Sequence, residues 1–353
     1  MDGVRLTTLL DGLVARGAVP SIAAAVTDAD GTIFEHVAGT ADRARTLPTE
    51  TGTRFALASL TKPLVAAAAL HAVGAGAIEL DAPLCRHVPG VRAQVTLRGA
   101  LSHSSGLPES VRLEITQTTG AGEILAQEIA VAPTRPPAER RVYSNIAYDL
   151  AGAAVASATG VPLPTYLEQF ILRPLGMVGT SLGARKDDPA VAWTEQPGLL
   201  SSGIAQFTSA TFRRLALPAS GAYGTAADYA RFLRVVLRQG LADAGTLLLA
   251  PKAFGELVTN QGGCLPGGVE SFMTWDRADW GCGFEIRGEK EPHWTGAYLT
   301  PSSVTHFGSS GALCFADRER GVAACVLAGR ATYSGWMLAP DAWPSIVSAV
   351  VGT

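Results

Sequence analysis

Strand patterns occupy the two ends of this 353-residue chain, and helical patterns fill its middle. Ser21–Thr27 and Thr32–Val37 read as two strands joined by the turn DADG, Asp28–Gly31. Strand patterns return only at Cys282–Ile286, Thr305–Phe307, Leu313–Asp317 and Val322–Leu327. Between them, Ala121–Ala130, Asn145–Thr159, Leu163–Ile171 and Thr225–Gln239 read as helices, and Ala342–Val351 as a closing helix. The distribution implies one sheet built from both ends of the chain, with a helical region inserted between its halves.

The opening stretch MDGVRLTTLLDGLVARGAVPS places Leu6, Leu9, Leu10 and Leu13 at helical spacing, and Gly17 and Pro20 stop it. Asp2 and Asp11 sit where an export signal wants positive charge and an unbroken apolar run. The longest apolar run, Val65–Leu70 followed by Ala72–Ile78, is too short to span a bilayer. A net charge of −3 without acidic or basic blocks leaves no electrostatic footprint for nucleic acid. The expectation is a cytoplasmic protein with neither a membrane nor a nucleic-acid partner. Cys85, Cys264, Cys282, Cys314 and Cys325 show no metal-ligand spacing and read as reduced, mostly buried thiols. His36, His71, His87 and His293 share no ligand spacing either, and no cofactor is expected.

Only four lysines occur among 28 basic residues, and one of them lies in the apolar stretch FALASLTKPL, Phe55–Leu64. In SLTK, Ser59 and Lys62 are three residues apart and share a face if the segment is helical. Pro63 is tolerated only in a first turn, so the helix must start close to Ser59. A serine hydroxyl is a poor nucleophile until a neighbour takes its proton. Unlike arginine, a desolvated lysine can be the neutral amine that takes it. On the tetrapeptide alone, a serine near a helix start with a lysine snorkelling outward is the favoured reading.

Two further motifs bear on that choice. YSN, Tyr143–Asn145, precedes a helix: the phenol can relay a proton and the amide can bind a carbonyl, or the pair is a half-buried tyrosine and a helix cap. HFGSSG, His306–Gly311, puts a glycine beside a strand, where a ligand or another backbone can approach closely, or where a bulge forms.

In order, S-x-x-K, Y-x-N and H-x-G resemble the serine β-lactamase-like superfamily. The resemblance is to its class C-type group of β-lactamases, D-alanyl-D-alanine carboxypeptidases, D-aminopeptidases, family VIII esterases and transacylases. ALSHSSGLP (Ala100–Pro108), RPLGMVGTS (Arg173–Ser181), SGAYGTAADYARFL (Ser220–Leu233) and WGCGFEI (Trp280–Ile286) resemble further segments of that group, from about residue 5 to about residue 330. The resemblance implies an α+β fold: an antiparallel sheet flanked by N- and C-terminal helices, with an inserted mainly helical domain. It divides the chain into 1–80 with 265–353, and 81–264. It implies Ser59 as acylated nucleophile, Lys62 as base and Tyr143 as proton relay. It implies substrate binding by Asn145, His306, Gly308 and Ser309, and an oxyanion hole from the backbone N–H groups of Ser59 and Ser309. His103, within the SHSSG segment, reads as a structural residue that fixes a loop by hydrogen bonds.

The third motif departs from the lysine-bearing K-T-G of β-lactamases. A histidine is neutral for much of the time at neutral pH, so a substrate carboxylate is less well served. The expected function is an intracellular serine hydrolase of small esters or amides working through an acyl-Ser59 intermediate. Acyl transfer to an amine or alcohol, of the kind used in secondary metabolism, stands second. Weak β-lactam hydrolysis, D-aminopeptidase activity and a non-catalytic scaffold follow. The expected partners are a small acyl donor and, for transfer, an acyl acceptor; oligomeric state is not read from the sequence.

Overall fold

The computed structural model describes all residues except 112, 114, 184–190, 197–206, 244 and 353; Lys186 lies outside the described residues. Its centre is a six-stranded antiparallel sheet: β1 (Ser21–Thr27), β2 (Thr32–Gly39), β3 (Glu285–Ile286), β4 (Val304–Gly308), β5 (Ala312–Asp317) and β6 (Val322–Ala328). The spatial order is β2-β1-β6-β5-β4-β3, so the two ends of the chain meet where β1 pairs with β6. The turn between β1 and β2 closes on Asp28, whose Oδ1 accepts from the N–H groups of Asp30 and Gly31, both at 2.9 Å.

Helices cover both faces. On one side lie α1 (Gly3–Ala15) and the last helix, α6 (Trp343–Val351), over Ile22, Ala24, Val26, Leu313, Phe315, Val322, Ala324 and Val326. On the other, α2 (Thr61–Gly74) and α5 (Ala226–Leu237) join the core formed with Ala23, Ala25, Cys314, Ala323, Cys325 and Leu327. Strand alternation thus sends successive residues into two different cores, which is why β1 is buried along its whole length. The α+β class and the flanking terminal helices inferred above are what the chain forms.

Between the two halves of the sheet run mostly helices, among them α3 (Ala121–Ile129) and α4 (Asn145–Thr159). The small residues Ala66–Ala69 of α2 are fully buried and let neighbouring helices approach closely. Two expected elements differ. Of Cys282–Ile286 only Glu285 and Ile286 pair into the sheet. A Cβ on Gly281 would overlap the Leu257 carbonyl and one on Gly283 would press on Ala66, so this segment is held against helices instead of a strand. Leu163–Ile171 begins as a helix but widens into a π-helical turn over Glu168–Leu172. All five cysteines are free; Cys282, Cys314 and Cys325 are buried. Among the described residues no single helix is long and apolar enough to cross a membrane.

Candidate active site

Ser59 is presented by a short, heavily fastened segment. Phe55–Ala56 pairs with Ala222–Gly224, and the Leu57 N–H donates to the Ala222 carbonyl at 2.9 Å. Ala58 then adopts a left-handed φ of 45°, a strained value for a residue with a side chain, and opens a single 3₁₀ turn over Ala58–Leu60. The turn runs directly into α2 at Thr61, so Pro63 falls within the first turn as its missing N–H requires. From the other side β4 presses in. A Cβ on Gly308 would overlap the Leu57 carbonyl oxygen, and the Ser310 hydroxyl donates to the Ala56 carbonyl at 2.6 Å. The glycine of HFGSSG therefore serves the approach of another backbone. Gly308→Ala is expected to destabilise the fold by about 2 kcal/mol and to slow Ser59 acylation together with it. Urea unfolding alongside ester kinetics checks this; wild-type values for both would contradict the tight contact.

Lys62 lies under that turn, fully buried. Its Nζ is 3.1 Å from Ser59 Oγ, 2.7 Å from Asn145 Oδ1 and 2.9 Å from the Ala219 carbonyl oxygen. Burial pushes its pKa down to about 7, against the opposing pull of the Asp149 and Glu109 carboxylates. A neutral amine has two N–H bonds and one lone pair. Two of its three neighbours are carbonyl oxygens that can only accept, so they take the N–H bonds. The lone pair is left facing the Ser59 hydroxyl, whose proton it can accept.

Tyr143 comes from a different part of the chain. Arg141–Val142 runs parallel to Gly267–Gly268, and the Tyr143 N–H donates to the Gly268 carbonyl at 3.0 Å. Its ring lies 4.6 Å from Lys62 Nζ. Burial raises the phenol well above its ordinary pKa, and a hydrogen bond with Ser59 offsets part of that. The phenol therefore keeps its proton at neutral pH. The helix cap next to it is Ser144, whose Oγ accepts from the Ala147 N–H at 3.1 Å. Asn145 is thereby freed to turn its amide to Lys62. His103 carries a left-handed φ of 58°, and its Nδ1 accepts from the Ser144 N–H at 3.0 Å while its ring lies 4.4 Å from that of Tyr143. It holds the YSN loop, as expected of a structural histidine.

A cleft of about 420 Å³ opens over these groups. Ser59, Tyr143, Asn145 and Ser309 line it, with Glu109 and Ser271 on one side and Val269, Phe272, Phe307, Met337 and Leu338 as apolar wall. His306 and Gly308 were expected at the substrate, and neither is among the described lining residues. Alternation along β4 exposes Phe307 to the cleft and turns His306 behind Tyr143 and Trp280, with ring centroids 6.0 Å from each. There burial, and then the nearby Lys62, push its pKa down to about 3, so it is neutral. The sequence motifs did not reveal the Ala219 carbonyl, Glu109, Ser271 or the 332–338 wall. Ala219 and Glu109 each adjoin a recognised segment by one residue, and Asp149 shares a helix face with Asn145 four positions on. The second buried lysine, Lys290, is part of a separate cluster: it pairs with Glu285 at 3.0 Å, which also accepts from Trp294 at 3.1 Å.

A serine-bearing turn, a buried lysine one turn away and a converging tyrosine, set beside a two-ended antiparallel sheet, define a serine β-lactamase-like protein. The chain belongs to the Beta-lactamase family, whose model matches residues 6–339. It is 32% identical to esterase EstB of Burkholderia gladioli over 258 residues, 60% of this chain and 66% of EstB. It is also 27% identical to the protein Rv1367c of Mycobacterium tuberculosis over 59% of each chain, so the matches span less than two thirds of the length of these curated relatives. Among solved structures, a β-lactamase from Mycobacterium bovis is 29% identical, with a TM-score of 0.69 over 97% of both chains.

Proposed function

We propose that the protein is a serine hydrolase of small esters, acting through an acyl-Ser59 intermediate. The observation that carries the proposal is the 3.1 Å contact between Ser59 Oγ and a buried lysine whose other two contacts are carbonyl oxygens. Ser59 Oγ attacks the ester carbonyl and its proton passes to Lys62 Nζ. The backbone N–H groups of Ser59 and Ser309 receive the developing oxyanion. Tyr143, protonated at neutral pH, hands its proton to the departing alkoxide and recovers one from Lys62. Water then repeats the sequence on the acyl-enzyme, with the alkoxide replaced by Ser59. Asn145 holds the Lys62 amine and, at the cleft wall, the substrate carbonyl.

The likeness to an esterase supports an ester in place of a β-lactam. So does the cleft: no Lys or Arg is among its described lining residues to hold a substrate carboxylate, and Glu109 would repel one. Acyl transfer is the second reading. The apolar wall of Val269, Phe272, Phe307, Met337 and Leu338 limits water beside Ser59 and offers a surface to an organic acceptor.

A fluorophosphonate probe is expected to label the wild type and not Ser59→Ala; equal labelling of both would remove Ser59 from the mechanism. Turnover of p-nitrophenyl butyrate with and without added alcohols and amines separates hydrolysis from transfer. The base must be uncharged to act, so kcat/KM is expected to rise with pH, about tenfold per unit below a pKa near 7, and to level off above it. A flat profile across that range contradicts a titrating Lys62.

A further inference from the structure

One wall of the Ser59 cleft carries a carboxylate that the proposed mechanism does not use. Glu109 lines the cleft together with Ser59, Tyr143 and Asn145. The YSN loop fixes its backbone: the Asn145 N–H donates to the Glu109 carbonyl at 2.9 Å, and the Ser144 hydroxyl donates to the Pro108 carbonyl at 2.7 Å. Its side chain is fixed by Ser271. Glu109 Oε1 accepts from the Ser271 hydroxyl at 2.6 Å, and Oε2 accepts from the Ser271 N–H at 3.2 Å. Each carboxylate oxygen has two lone-pair directions, so one on each remains free of these bonds. Both donors are neutral, and among the described residues no Lys, Arg or His forms an ion pair with Glu109. Its charge nevertheless reaches the catalytic groups, where it favours the charged form of Lys62 and the neutral form of Tyr143.

Resting on the hydrolase reading above, we propose that the cleft selects acyl donors that carry a primary ammonium group, bound by Glu109, on an aliphatic chain that lies along Val269, Phe272 and Phe307. The lining chemistry selects this class. The free positions on Glu109 are acceptors, so the matching group is a donor. The carboxylate lacks a cation, so a charged donor gains more from it than an alcohol does. Carboxylate and phosphate groups are repelled by the same charge. Ser271 holds the carboxylate in place before anything binds, which lowers the ordering cost of binding. The apolar residues of the cleft, with Phe272 next to Ser271 in the chain, exclude water around such a pair and receive the methylene groups. Glu109 is tied to Asn145, which holds the substrate carbonyl, whereas Tyr143 attends the departing alkoxide. The ammonium therefore belongs to the acyl half of the ester.

The test compares p-nitrophenyl esters matched in heavy atoms: β-alanine with butyrate, and 6-aminohexanoate with heptanoate. At least one ammonium ester is expected to exceed its neutral partner in kcat/KM by about tenfold, the usual worth of a hydrogen bond to a charged group. That preference is expected to shrink as salt is added. Glu109→Gln is expected to remove most of it, and Glu109→Lys to reverse it and to favour the mono-p-nitrophenyl ester of adipic acid. The intrinsic reactivities of the esters cancel when these ratios are compared between variants, and a merely structural role for Glu109 would lower all rates without changing the ratios. Calorimetry on Ser59→Ala decides the same question without turnover. 6-Aminohexanamide is expected to bind at least about fivefold tighter than heptanamide, and Glu109→Gln in that background to abolish the difference. Brisk hydrolysis of the neutral esters with no preference in either series would overturn this proposal and leave the hydrolase reading intact. Absence of turnover of every ester would fail the hydrolase reading, and equal binding of the two amides would then overturn this one as well.

Discussion

Ser59→Ala is expected to fold as the wild type does and to lose ester hydrolysis by at least about 10⁴-fold. The substitution removes one oxygen from a turn held by other bonds: the Leu57 N–H to Ala222, the Ser310 hydroxyl to Ala56 and the strand pairing of Phe55–Ala56. Nothing in that scaffold depends on the Ser59 hydroxyl. In the proposed mechanism what disappears is the atom that forms the acyl bond, and the remaining groups then offer only binding and electrostatic stabilisation to an attacking water. Circular dichroism and p-nitrophenyl butyrate kinetics on the purified variant check both halves of the expectation. Retention of more than a few per cent of activity by a folded variant would mean that the nucleophile is elsewhere.

Lys62→Ala is expected to slow acylation by at least about 10²-fold, the usual worth of a positioned general base. Tyr143 cannot take over, because its buried phenol would have to ionise first. Primary amines added to the medium are expected to restore part of the rate, as they return a neutral nitrogen to the space beside Ser59 Oγ. Near-normal acylation in Lys62→Ala would shift the base role to Tyr143.

The same burial has a consequence for stability. In the folded protein the Lys62 pKa falls from 10.5 to about 7, so the unfolded chain binds more protons between those values. The penalty for burying the amine is fully present below about pH 7 and fades as pH rises towards 10.5. Lys62→Met, which fills the space without a charge, is therefore expected to gain stability relative to the wild type by a few kcal/mol more at about pH 6 than at about pH 10. Urea unfolding at both pH values reads this directly. A difference independent of pH would show that Lys62 titrates normally in the fold.

Much of this arrangement is legible in the linear chain, for local reasons. Ser21–Thr27 and Asn145–Thr159 form the strand and helix that their patterns indicate, with the same limits. Ser59 and Lys62 touch because three residues at a helix start allow little else once Pro63 forces the helix to begin there. Other features depend on closure of the chain and carry no local mark. The Ala219 carbonyl reaches Lys62 from 157 positions away. The Thr332–Leu338 side of the cleft is joined to the residue after β4 by the Thr332 N–H and hydroxyl, which both donate to the Ser309 carbonyl. His306 stands where the motif puts it, but the sense in which a strand's alternation faces is set by the sheet's neighbours, and those turn it away from the cleft. The departure at Cys282–Ile286 has the same origin, since the glycines that look like strand interruptions are contacts with helices far away in sequence.

The central claim is that one hydroxyl becomes acylated because a neutral amine receives its proton. Acid quenching of the wild type during turnover of p-nitrophenyl butyrate, followed by peptide mapping in a mass spectrometer, tests it most directly. The account predicts a single butyryl group, located on Ser59, whose rate of appearance falls with pH below about 7. A butyryl group on any other residue, or steady turnover with no covalent adduct under conditions where deacylation is slow, would contradict it.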